Sequence, residues 1–212
     1  MPIASYFSIK NRNRKWTEFT HEFKYTNKTK ILDIGFSDKE YSQVDNYLEK
    51  HYPYTDMITA LGVEEPVEFL VRYPTVNAIQ YSGSVFPFEN NAFDIAWSNA
   101  VIEHVGDIDA QVLFIKEIVR VGKAVFFTTP NAHFPIETHT RTPLLHWLPK
   151  SIFDKYLLAT GKKWATGSYM YLLSEYKLRN LLKKAGVVNY VIIKNRLFGF
   201  VLDFVVVIKP PL

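Results

Sequence analysis

Between Glu103 and His146 the sequence concentrates side chains that can move protons: Glu103, His104, His133, Glu137, His139 and His146. A neutral imidazole with an ordinary pKa of roughly 6.5 can accept a proton near pH 7. His139 stands two residues after Glu137 in a loop framed by prolines, and it is the first candidate for a base, with Glu137 as its partner acid. His104, directly after Glu103, is the second. A different role remains open for each histidine. His104 can be a helix-start residue that caps backbone groups, and His139 and His146 can pack against Trp147 and its aromatic neighbours. The histidine spacing fits no zinc motif and the chain has no Cys, so no metal site is expected.

A second set of candidates comes from glycine. There are nine in 212 residues, about 4% against roughly 7% in average proteins, so their positions carry weight. Gly35, Gly62 and Gly83 each follow a short apolar run. In open α/β sheets ligands bind outside the carboxyl ends of the strands, and glycine there allows positive φ or a close approach of ligand to backbone. Any one of them could simply turn the chain. Three at successive strand ends point to a ligand crevice, bordered also by Glu64, Ser82, Ser84 and the Ser98-Asn99-Ala100 and Thr129-Pro-Asn131 segments.

Such side chains need a scaffold, and the hydrophobic rhythm supplies one. Short apolar runs at Lys30–Gly35, Asp56–Gly62, Val76–Tyr81, Phe93–Ser98 and Ala124–Thr129 read as buried strands. Between them, Tyr41–His51, Pro66–Tyr73 and Asp109–Val121 have helical spacing, the last with Val112, Ile115, Ile118 and Val119 inward. Alternating strands and helices imply a doubly wound parallel sheet. A helix is expected over Ser174–Ala185, with Ser174 as N-cap and Gly186 as its stop. The runs Val188–Lys194 and Phe200–Lys209 are too close for a helical crossover and should form an edge hairpin. One domain over 1–212 is expected, with an N-terminal arm to about residue 28 and a Pro-rich cap insertion over about 131–173.

Composition narrows the function classes. Hydrophobic residues at 48% and charged residues at 22% exclude a disordered chain. The formal charge of +4 and a single short basic run at Asn11–Lys15 give no concentrated basic face, so no nucleic-acid partner is expected. The start of the chain does not resemble a signal peptide. The longest apolar stretch, Leu197–Ile208, is interrupted by Asp203 and too short to span a bilayer. A cytoplasmic protein is expected, consistent with the absence of Cys.

Four blocks carry a family resemblance. They are Leu32-Asp-Ile-Gly35, Phe86-Pro-Phe through Phe93-Asp94, Ser98-Asn-Ala-Val-Ile-Glu-His-Val105, and Glu117-Ile-Val-Arg-Val121 ahead of a strand ending Thr129-Pro-Asn131. In order and spacing they resemble the class I S-adenosylmethionine-dependent methyltransferases, in the subgroup acting on small molecules. The resemblance implies a Rossmann-like, mostly parallel, seven-stranded sheet with an antiparallel C-terminal hairpin strand. It also implies S-adenosyl-L-methionine as cofactor, held near Asp33, Gly35, Phe36, Ser37, Gly62, Glu64, Ser82, Gly83, Ser84 and Asn99, and a role for His104. The family loop usually reads Asp-x-Gly-x-Gly-x-Gly, and here the second and third glycines are Ser37 and Lys39. The usual ribose-binding acid aligns with Gly62, leaving Glu64 as the nearest substitute, and the acid near adenine aligns with Ser82.

Aligning a nucleophile with a reactive methyl and excluding water is the protein's main task in such chemistry. The apolar insertion reads either as packing over the sheet edge or as a lid over a small-molecule, glycan or lipid-precursor acceptor. Peripheral contact with a membrane surface, through Lys150, Lys155, Lys162 and Lys163, is a further possibility. The rival function is a catalytically silent methyltransferase-like domain that binds or assembles. A nicotinamide-dependent dehydrogenase is disfavoured by the missing Gly-x-Gly-x-x-Gly fingerprint.

Overall fold

Apolar runs with few polar interruptions can be satisfied only by strands covered on both faces. The computed structural model, which describes residues 3–167 and 170–210, builds them into one sheet. The strands are β1 (Ile31–Ile34), β2 (Ile58–Gly62), β3 (Asn77–Gln80), β4 (Phe93–Asn99) and β5 (Gly122–Pro130), with β8 (Val191–Leu197) and β9 (Phe200–Ile208) near the C-terminus. They are hydrogen-bonded in the order β3-β2-β1-β4-β5-β9-β8. β1 runs parallel to β2 and β4, β2 runs parallel to β3, and β8 and β9 are antiparallel. The Rossmann-like, seven-stranded sheet and its edge hairpin match the sequence reading. Strand order reverses between β1 and β4, the switch point at which such sheets bind ligands.

Two compact units make up the fold. One comprises the described residues through Ser98 together with Ile118–Phe126, the other Asn99–Glu117 together with the described residues from Phe127 on.

The first unit has an aromatic core. Trp97 on β4 lies face to face with Phe126 on β5 at 4.8 Å, and Phe19 meets Trp97 edge-on at 4.9 Å. Phe19 belongs to α1 (Ile3–Glu22), so the expected N-terminal arm is largely helical. Its buried residues include Phe19 and Lys15, with Phe23 buried just past its end, a pattern with little amphipathic contrast. Tertiary packing therefore stabilises this helix more than its own periodicity does. The helix expected over Tyr41–His51 forms only at its end, as α2 (Tyr47–His51), because Asp45 caps the preceding turn by accepting from the Tyr41 and Ser42 amides. α3 (Val67–Arg72) follows β2 as expected.

In the second unit, α6 (Glu175–Lys184) starts at Ser174, whose hydroxyl accepts the Lys177 amide at 3.3 Å, and ends at Gly186 with φ +81°. The insertion after β5 contains a short hairpin, β6 (Ile136–Glu137) and β7 (Thr142–Pro143), then α5 (Lys150–Ala159). Its two ends are tied where Asn131 bridges Leu173 and the Ala132 amide donates to the Leu173 carbonyl. α4 (Ile108–Val121) contributes residues to both units, and its Ile115 and Ile118 are fully buried, as its spacing predicts. Among the described residues no helix is long and apolar enough to cross a membrane.

Trp97→Ala should lower unfolding free energy by about 3–5 kcal/mol, the usual cost of emptying a large aromatic site. Denaturant titration measures it. A loss below about 1 kcal/mol contradicts the central place of this stack.

Candidate active site

In the first unit, the carboxyl ends of β1, β2 and β3 carry most of the expected cofactor residues. Gly35 has φ +100° and donates its amide to the Leu61 carbonyl. Gly62 is required by a close approach, though of protein: a Cβ there would lie 2.6 Å from Cε1 of Phe36. The Phe36 ring is buried and packs on Phe69 at 4.6 Å. The absence of an acid at position 62 follows, since the Phe36 ring fills the space its side chain would need.

The turn that replaces the glycine-rich loop is tied by side chains. Asn46, itself in the left-handed region at φ +46°, accepts the Ser37 amide and donates to the Ser37 carbonyl, both at 2.9 Å. Glu64 accepts the Asp38 amide at 2.8 Å, and the Asp38 carboxylate accepts the Glu68 and Phe69 amides at the start of α3. Ordered polar contacts thus hold a turn that glycines would leave supple. Glu64 and the Ser82-Gly83-Ser84 turn stay exposed, and Gly83 has φ +85°. A carboxylate and two hydroxyls are therefore open to a ribose diol and an adenine amino group, and the residues present fit a nucleoside cofactor.

Asp33 has a different setting. Its side chain is buried beside Glu49 of α2, which is buried as well. Burial pushes the Asp33 carboxyl up to about 6, against the opposing pull of the neighbouring Glu49 side chain and the charge of Arg12. Burial and the neighbouring Asp33 charge raise Glu49 well above the usual carboxylate range. Two acids in one dry site cannot both ionise at low cost. Neither Glu49 nor Asn46 is apparent as a site residue from sequence, because each acts through a contact with the distant β1 end.

In the second unit, the proton-handling residues come together. A 3-10 turn at Ile102–His104 follows β4 and presents Glu103 and His104, while the β6–β7 hairpin presents Glu137 and His139. Glu137 is 2% exposed and accepts from the His139 amide, His139 Nδ1, the Thr140 amide and the Thr140 hydroxyl. Burial alone would raise its pKa, but the His139 and Thr140 hydrogen bonds and the His139 charge outweigh it and hold the carboxyl at about 2. The ionised Glu137 holds the His139 ring through Nδ1. His139 Nε2 faces His104 Nε2, 3.1 Å away, with the rings at 86°. Glu103 is fully buried, and its Oε2 accepts from the Thr129 hydroxyl at 3.0 Å. Thr129 is a partner that sequence reading did not single out.

The remaining candidates make other contacts. Asn99 accepts the Thr128 hydroxyl at 2.9 Å. His133 is exposed. His146 Nε2 donates to the Phe134 carbonyl at 3.0 Å, and burial holds its pKa below the ordinary histidine value. His146 lines a cavity of about 1020 Å³ in the same unit, with apolar walls from Leu148, Phe153, Met170 and Leu173. Lys150, Lys177, Lys183 and Lys184 border it.

Residues 53–125 match the family model described as "Methyltransferase domain". No curated protein sequence matches the chain. Among solved structures, an S-adenosylmethionine-dependent methyltransferase from Methanosarcina mazei is 17% identical with a TM-score of 0.55, over 91% of this chain and 97% of that one. One from Aquifex aeolicus is 15% identical with a TM-score of 0.55, covering 90% and 87%. Phosphoethanolamine N-methyltransferase 2 of Haemonchus contortus, solved with S-adenosyl-L-methionine, is 15% identical with a TM-score of 0.56; the match covers 86% of this chain and 38% of that one. At these identities the structural likeness establishes the fold.

The buried acid pair has a pH signature. Both folded-state pKa values lie above the ordinary values, so between about pH 4 and pH 6 the folded chain holds more protons than the unfolded one. This pair's contribution to stability therefore falls as pH rises through that window. Glu49→Gln should flatten the fall and raise the melting temperature above pH 7. Thermal unfolding from pH 4 to 8 checks it, and an unchanged pH slope contradicts the shared burial.

Proposed function

We propose that this chain is a class I S-adenosylmethionine-dependent methyltransferase, which binds S-adenosyl-L-methionine and transfers its methyl group to a small-molecule acceptor. When bound, that cofactor supplies an electrophilic methyl carried on a sulfonium. The observation that carries the reading is the family match over β2 to β5 on a sheet whose switch point lies between β1 and β4.

Within the first unit, Glu64 is assigned to the ribose diol, with Ser82 and Ser84 and the backbone of Gly83 beside the adenine. Gly35 and the Phe36–Ser37 turn shape the floor, and Asp33 supports that floor from beneath through its contact with Glu49. Within the second unit, His139 and His104 serve the acceptor. Glu137 holds the His139 ring so that Nε2 carries a lone pair, the state needed to receive a proton or to orient an acceptor atom. The cavity's apolar walls and lysine border suit an acceptor with an apolar body and an anionic group, such as a glycan or lipid precursor.

Calorimetric titration with S-adenosyl-L-methionine or S-adenosylhomocysteine tests the cofactor. Binding is expected, and Glu64→Ala should weaken it by about 10-fold, the loss of one charge-assisted hydrogen bond. No heat and no thermal shift at millimolar ligand would leave the silent-domain reading in its place. His139→Ala should lower turnover by about 100-fold or more while cofactor affinity is unchanged. Unchanged turnover on the true acceptor removes the His139 assignment.

A further inference from the structure

We propose that Glu103, His104 and His139 form a binding site for a divalent transition-metal ion. Three ligand atoms converge: His104 Nε2 and His139 Nε2 are 3.1 Å apart, and Glu103 Oε1 lies 4.0 Å from the first and 3.7 Å from the second. The point equidistant from all three is about 2.1 Å from each, within the usual range of Zn–N and Zn–O bonds.

The surroundings are those of a metal site. Glu103 is fully buried, and its Oε1 has no hydrogen-bond partner although it faces two imidazole nitrogens. A buried carboxylate oxygen left unsatisfied is costly, and a cation removes that cost. Its other oxygen is held by the Thr129 hydroxyl. His139 Nδ1 donates to Glu137, the carboxylate–histidine relay that orients a ligating ring and raises its basicity. Two of the three ligands, Glu103 and His139, are thus supported from behind.

Ligand chemistry selects the ion. Two imidazoles with one carboxylate suit zinc, iron, manganese or cobalt, whereas magnesium and calcium prefer sites built from oxygen. Three protein ligands leave coordination positions open, and the two histidine side chains are each 21% exposed, so water or an acceptor oxygen can complete the shell. The ion-binding claim stands on this geometry alone. Its consequence rests on the methyl-transfer reading: an acceptor hydroxyl bound to the ion would lose its O–H proton to bulk water more readily, leaving an alkoxide stabilised by the cation. Coordination is then how His104 and His139 serve the acceptor.

The test uses the full chain, stripped with chelator and checked for folding by circular dichroism. Calorimetric titration with Zn²⁺ should show one equivalent bound, and Co²⁺ should give visible absorption bands displaced by Zn²⁺ and not by millimolar Mg²⁺. Glu103→Gln, which keeps shape and the Thr129 contact, and His139→Ala should each weaken binding by about 100-fold or more. Glu137→Gln should weaken it by about 10- to 100-fold. A folded, stripped chain that takes up no Zn²⁺ or Co²⁺ overturns the proposal, as does binding unaffected by these variants or fully displaced by Mg²⁺. Titration with S-adenosyl-L-methionine on the same samples separates the two readings. Cofactor binding without metal binding overturns this site alone, and metal binding without cofactor binding overturns the methyl-transfer reading alone.

Discussion

A carboxylate taken out of water must find donors, and Glu137 finds four within three residues of itself. This requirement shapes the β6–β7 hairpin. The Thr140 amide and hydroxyl turn inward to the carboxylate, Arg141 takes a left-handed conformation, and Lys162 caps the Thr140 carbonyl at 2.7 Å. The His139 ring is a consequence of that turn. Its orientation follows from one ionised acid that hydrogen bonds keep below the ordinary carboxylate range. From this ring the rest of the cluster is defined, because His104 and Glu103 gain chemical meaning by facing His139 Nε2.

The first unit solves a different problem with the same means. A loop with three glycines can wrap a ligand because its backbone is unhindered, and here two of those glycines are absent. Asn46 and Glu64 tie down the amides of Ser37 and Asp38, and Asp38 in turn caps α3. The Phe36 ring fills the space above Gly62. Stiffness is thereby gained from side chains, and the polar groups left for a ligand move outward to Glu64 and the Ser82–Ser84 turn. The buried pair of Asp33 and Glu49 sits beneath this floor and makes the local structure sensitive to pH.

The strands of the sheet were the most legible feature of the chain, since short, mostly apolar runs such as Ile31–Ile34 and Phe93–Trp97, each interrupted by a single Asp, have few alternative uses. The helix starting at Ser174 and stopping at Gly186 was equally plain, because capping chemistry is local. α1 was not. Its apolar face consists of well-spaced aromatics and a buried lysine stem, and its partners Trp97 and Phe126 lie far along the chain. The pairing of Glu137 with His139 was visible because the two are adjacent in sequence. The convergence of Glu103 and His104 on them was not, because it depends on where the turn after β4 and the hairpin after β5 place their side chains.

The sequence by itself determined the order of the seven strands of the main sheet, the blocks that carry the family resemblance, and the identity of the acids and imidazoles. All of these are set by local patterns of burial, capping and residue type. Only the tertiary structure decided that Asp33 faces another acid, that the Phe36 ring occupies the space at Gly62, and that Glu103, His104 and His139 converge. Those outcomes depend on distances of a few ångströms between residues remote in sequence, and neither periodicity nor spacing along the chain encodes such distances.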